Sequence, residues 1–183
     1  MLFVALGYAE TSDVSLNSSI SSNNLFGKSP TEITEKEREV LFEQYKLYVE
    51  LMDKVSERRH QANSFFLTVN TILITALTSF VALTQQPHIR YGWVIVAIIA
   101  GIVFCLTWRR LIQSYKQLNT GKFEIIHLLE TRLPARLFYA EWEVLKRGDG
   151  TVYRPFSHEE KRVPVIFLLL YAVLGVFLIL ELI

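Results

Sequence analysis

Five hydroxyl side chains, Ser64, Thr68, Thr71, Thr75 and Thr78, recur at steps of four, three, four and three, with Asn63 and Asn70 beside them. On a helix that spacing puts the hydroxyls on one face. The stretch 64–84 that carries them holds no Asp, Glu, Lys or Arg. In hydrocarbon an unsatisfied hydroxyl or amide is costly, so such a stripe is expected to turn toward protein or water. Two uses fit it. Small hydroxylated residues let helices approach closely, so the face, Asn70 included, suits packing against other helices of the chain, helped by bonds from Ser and Thr to their own i−4 carbonyls. Alternatively, copies of this helix associate and the face lines a water-accessible path.

Other candidate chemistry is weaker. His60, His88, His127 and His158 are scattered and lack the i, i+4 or Cys-paired spacing of a metal site, so no metal is expected. No phosphate-binding loop or dinucleotide fingerprint occurs, and Gly121-Lys122 is an isolated pair. No Ser, His and Asp set stands in the context of a nucleophile. Glu141 and Glu143 flank Trp142 as a solvated helix face would. The single cysteine, Cys105, lies in an apolar stretch and cannot form an intramolecular disulfide. The reading is of a protein that is not an enzyme, has no catalytic residue and needs no cofactor. A net charge of +1, with no basic stripe interleaved with aromatics, argues against nucleic acid as a partner.

The elements that must position the stripe follow from how charge is segregated. Hydrophobic residues make up 51% of the 183 and charged ones only 20%, yet the charges crowd into blocks and leave three stretches nearly free of them, 64–84, 91–108 and 163–183. Each is about 20 residues, the length a helix needs to cross a hydrocarbon layer of ~30 Å. Tyr91, Trp93 and Trp108 sit at the ends of the second stretch, where interfacial aromatics are favoured. The third opens with Pro164 and carries Glu181 near its end. Ahead of the first stretch, residues 30–63 read as an amphipathic helix. Ser29-Pro30-Thr31-Glu32 offers a capping box, Leu41, Tyr45, Tyr48, Met52 and Val55 make an apolar seam, and Glu43, Lys46, Glu50 and Lys54 face away. After the second, residues 109–133 continue as a helix with Leu111, Tyr115 and Leu118 in its seam and Ile125 and Leu129 keeping the same spacing, ending at Leu133-Pro134. Residues 134–162 read as a linker with a short amphipathic helix around Phe138, Tyr139, Trp142 and Leu145 and a turn at Gly148-Asp149-Gly150. Residues 1–29, rich in Ser and Asn over 11–24, read as a flexible leader without a cleaved signal.

Arg58, Arg59, Arg109, Arg110, Lys161 and Arg162 flank one side of the stretches and only Arg90 the other, which places the first side in the cytoplasm. The same arginines suit anionic lipid head groups. The expected architecture is therefore all-α, an integral protein of the cell inner membrane. It has three transmembrane helices, the first two prolonged as a cytoplasmic helical hairpin, an amino terminus inside and a carboxyl terminus outside.

This order of elements, with Val55-Ser56-Glu57-Arg58-Arg59 before the first span and Trp108-Arg109-Arg110 after the second, resembles the SLATT-type small membrane proteins of bacterial conflict systems over about 31–133. The resemblance implies a membrane-acting effector, pore-forming and triggered by a partner protein. The third span and the 138–162 segment depart from the two-span pattern. The expected function is a homo-oligomeric membrane effector or pore controlled by its cytoplasmic helices. The alternatives are an anchor or scaffold for a cytosolic partner held by the apolar seam, or an accessory subunit of a larger complex.

Overall fold

The computed structural model describes residues 25–29, 32–153 and 157–182, with all side chains among them except those of 87–89, 157–159, 178, 181 and 182. Most of the leader and positions 154–156 of the linker lie outside the described residues. Four helices account for nearly everything else: α1 (Glu35–Leu83), α2 (Pro87–Glu130), α3 (Leu137–Val144) and α4 (Ser157–Leu182). No strand occurs among the described residues. The chain divides into two compact units. A polar one joins the described residues up to 57 to those of 115–153, and an apolar one joins 58–114 to 157–182.

Helix α1 starts later than the sequence suggested. Ser29 does meet Glu32, its amide donating to Oε2 at 3.1 Å, but Ile33 and Thr34 are not helical. The helix opens after Thr34, in a second capping box. The Thr34 amide donates to Glu37 Oε2 at 2.9 Å, and the Glu37 amide donates back to Thr34 Oγ1 at 3.4 Å. The neighbouring Lys28 ammonium, then these Thr34 bonds, hold the Glu37 carboxyl down at about 2. From Glu35 the helix runs without a break through Leu83. Residues 84–86 then separate it from α2, whose first position is Pro87, where the missing N–H is no loss.

In the polar unit Met52, Phe123 and Ile126 form the core, with Tyr45, Tyr48, Val49 and Phe138 packed on it. Tyr45 and Phe123 both meet the Phe138 ring edge-on, at 6.3 and 6.2 Å. Lys122 lies 4.5 Å from the centre of the Tyr48 ring. Leu41 is buried and Val55 half-buried, as the α1 seam requires. The α2 seam keeps Leu129, which is buried, but its other positions each lie one residue beyond the expected ones. Its inward face is Lys116, Asn119, Thr120, Phe123, Ile126, Leu129 and Glu130, whereas Tyr115 is half-buried, Leu118 is 49% exposed, and Leu111 packs in the apolar unit. One residue is a ~100° rotation, enough to turn an apolar stripe outward.

Helix α2 stops at Glu130, three residues before the expected end. Ahead of Pro134 its last turn tightens: the amides of Thr131, Arg132 and Leu133 bond to the carbonyls three residues back. The Gly148 turn begins earlier than expected, with Lys146, Arg147 and Gly148 all left-handed at φ 48, 53 and 70.

In the apolar unit, Trp108 stacks on Phe66 at 5.8 Å with the rings 9° apart, and Ile112, Leu111, Val163 and Phe167 close around them. Within each unit, contact positions rise along α1 as they fall along α2, the antiparallel sense: Tyr45 meets Glu130 and Tyr48 meets Lys122 in the polar unit, and Asn63 meets Trp108 and Asn70 meets Cys105 in the apolar one. Helix α4 begins at Ser157, ahead of the apolar stretch, so Pro164 stands inside it. There it removes the bond to the Glu160 carbonyl and is itself fully buried. The apolar windows of α1 and α2 are long enough to cross a membrane, and only 17% and 22% of their residues are buried. A soluble core helix would be mostly covered; these present Ile72, Val96, Val103 and their neighbours outward, as lipid contact demands.

Candidate functional site

The inward face of α1 in the apolar unit carries two amides one heptad apart, Asn63 and Asn70, and each receives a donor from α2. Trp108 Nε1 donates to Asn63 Oδ1 at 2.8 Å. Asn70, fully buried, accepts at Oδ1 from the Cys105 thiol at 3.3 Å and from the Tyr171 hydroxyl of α4 at 3.2 Å, while its Nδ2 donates to the Phe66 carbonyl at 2.8 Å. One amide thus joins three helices inside an apolar shell, where an unmet polar atom would be expensive. The approach of α4 is set by Gly101. A Cβ built there would stand 2.1 Å from Tyr171 Cζ, so only glycine admits the buried ring.

The hydroxyl stripe has a different fate. Ser64, Thr68, Thr71, Thr75 and Thr78 are all exposed in the single chain, so the stripe does not pack against α2 or α4. The hydroxyls of its last three residues turn back on their own helix. Thr71 donates to the Leu67 carbonyl and Thr75 to that of Thr71, both at 2.8 Å, and Thr78 to those of Ile74 and Thr75 at 3.0 Å. Back-bonding uses each O–H donor and leaves the oxygen free to accept. Asn70, grouped with this face from sequence, belongs to the interior instead, because one residue separates it from Thr71 by ~100°.

Arg59 also departs from expectation. Arg58, Arg109 and Arg110 are exposed, but Arg59 is buried and its Nε lies 3.8 Å from Glu160 Oε2 of α4. Burial raises the Glu160 carboxyl above its ordinary range, against the pull of Arg59, His60 and Asn63. In the polar unit the corresponding tie is Glu130, fully buried at the end of α2. It accepts from the Tyr45 hydroxyl at 3.2 Å and from the amides of Phe138 and Tyr139, at 2.8 and 3.1 Å, in the first turn of α3. Burial first, then the Glu130 charge, push the Tyr45 phenol up to about 12, so it stays a donor.

Sequence reading missed Cys105, Tyr171, Glu130 and Glu160 as structural ties. The heptad spacing of Asn63 and Asn70 was the one available signal. Among the described residues no group of His, Cys, Asp and Glu could hold a metal.

No curated protein and no solved structure matches the chain. A family model does, over residues 42–180, and it is described as the Octameric membrane protein family (8xMP), not as the SLATT-type proteins the architecture resembles. The matched region takes in α1 from Phe42, all of α2 and α3, and nearly all of α4, so the polar ties of Asn63, Asn70, Arg59 and Glu130 lie within it. The chain is a membrane protein and belongs to the Octameric membrane protein family.

Proposed function

We propose that eight copies of this chain assemble in the cell inner membrane with the hydroxyl face of α1 turned to the interior of the ring, where it lines a water-accessible path. The observation that carries this reading is that the stripe from Ser64 to Thr78 is small, polar and uncovered in the single chain. The family description supplies the subunit number. Eight α1 helices at the usual ~10 Å separation would have their axes roughly 13 Å from the symmetry axis, leaving a lumen of roughly 8 Å radius. Hydrated ions pass such an opening, so closure must come from the polar unit, which we place in the cytoplasm with the amino terminus. Helix α4 is the third crossing, tied to the others through Tyr171, and its end lies outside. As in the SLATT-type resemblance, the protein acts as a membrane effector opened by a partner.

Expression with its activating partner should depolarise cells, and replacing Thr71, Thr75 and Thr78 together by Val should abolish the leak without lowering the amount of folded protein. Unchanged leakage in that variant would remove the pore.

A second reading, a scaffold for a cytosolic protein, is favoured by Val40, Leu47 and Leu51, which form an exposed apolar strip on α1. The seam first suggested for a partner is not available to one. Met52 is fully buried and Tyr48 is covered by Lys122. Changing Leu47 and Leu51 to Asp separates the two readings, since it should release a docked protein while leaving the leak intact.

A further inference from the structure

The polar unit contains a cavity of about 380 Å3 between the start of α1 and the turn that follows α2. Arg38, Arg132 and Thr131 line it, together with Ile33, Leu41 and Pro134, and no Asp or Glu does. Arg132 is held in place, its guanidinium carbon 4.4 Å from the centre of the Phe26 ring. Its Nη1 is buried with no acceptor among the described residues. Arg38, exposed on α1, makes no ion pair among the described residues. Two guanidinium groups share a concave site that offers no carboxylate. A half-buried, stacked arginine without a counter-charge is costly unless an anion completes it. The site is already assembled, so little ordering would oppose binding.

We propose that this cavity binds a soluble phosphate monoester whose small apolar body rests on Ile33, Leu41 and Pro134. The fork of a guanidinium matches two phosphate oxygens, which a lysine at these positions would not do. The volume falls within the range of small-molecule sites, about 300–1,000 Å3, and exceeds what a bare phosphate needs. The remaining wall is apolar, which favours an ester over the inorganic ion. Both arginines belong to the polar unit, outside the apolar one that meets lipid, and this favours a soluble ligand over a lipid head group.

The test is calorimetric titration of the full chain, in detergent with neutral lipid, using phenyl phosphate as the probe. Saturable binding is expected, tighter than that of inorganic phosphate and absent for phenol. Arg132→Gln and Arg38→Gln should each weaken it by about tenfold. Arg38 is exposed, so R38Q should keep the wild-type melting temperature and its loss of binding cannot be ascribed to misfolding. Equal affinity in R38Q and the wild type, or no saturable binding at millimolar probe, would overturn the proposal. So would binding of phosphatidic acid in doped micelles with none of phenyl phosphate, which would assign the arginines to lipid.

Discussion

Asn70 uses both ends of its amide, accepting from two helices and donating to its own. Replacing it by Leu leaves the Tyr171 hydroxyl and the Cys105 thiol without their acceptor. Interhelical bonds in membranes contribute about 0.6–2 kcal/mol each, so N70L should cost about 1–2 kcal/mol. A double-mutant cycle with Tyr171→Phe, read by thermal unfolding in detergent, should recover a coupling of that size; additivity would mean the bond is not made. Glu130→Ala strands the Phe138 and Tyr139 amides and should speed hydrogen exchange at 137–144, at a cost of about 1–3 kcal/mol, whereas Glu130→Gln, which keeps an acceptor, should do less. His127 beside it gives a pH dependence. Burial lowers its pKa below the ordinary 6.5; Glu130 opposes this and Arg136 adds to it. A group whose folded pKa is depressed contributes stability above its unfolded value and loses it as pH falls through the folded one. The polar unit should therefore loosen below pH 6.5, and H127Q should flatten that acid limb in a melting curve.

At the scale of the helices, two glycines of α2 should respond to alanine with opposite signs. Gly101→Ala drives a Cβ into the Tyr171 ring and should destabilise by about 1–3 kcal/mol, because α4 must move away. Gly121→Ala meets nothing within 4 Å and should stabilise by about 0.5–1 kcal/mol through helix propensity alone. Thermal unfolding of both variants decides this; equal effects would mean that α4 does not approach α2 at Gly101. These helices were only partly legible in the sequence. Charge-free length and heptad spacing revealed the apolar stretches and the α1 seam, since Leu41, Tyr45, Tyr48 and Met52 are apolar or amphipathic. The α2 seam was hard to read because its inward positions include Lys116, Asn119, Thr120 and Glu130, which are buried in the fold but look solvent-facing in a pattern of apolar residues. The buried node stayed hidden for a related reason. Asn70 is adjacent in sequence to an outward threonine, and only a third helix supplies the tyrosine that explains it.

For the whole molecule, the decisive question is which way the uncovered α1 face turns once copies meet. The chain's only cysteine makes the measurement clean. Cys105 is buried, and Cys105→Ser keeps a donor for Asn70. In that background, cysteines placed one at a time at Thr71, Thr75 and Thr78, and for contrast at the outward apolar positions Val96, Val103 and Ile166, can be challenged in intact membranes with a charged, water-soluble thiol reagent. Only a hydrated thiol ionises and reacts at a useful rate. If the hydroxyl face lines a water path, the three stripe positions should react and the three apolar ones should not. Reaction at none of the stripe positions, or at both sets alike, would contradict it.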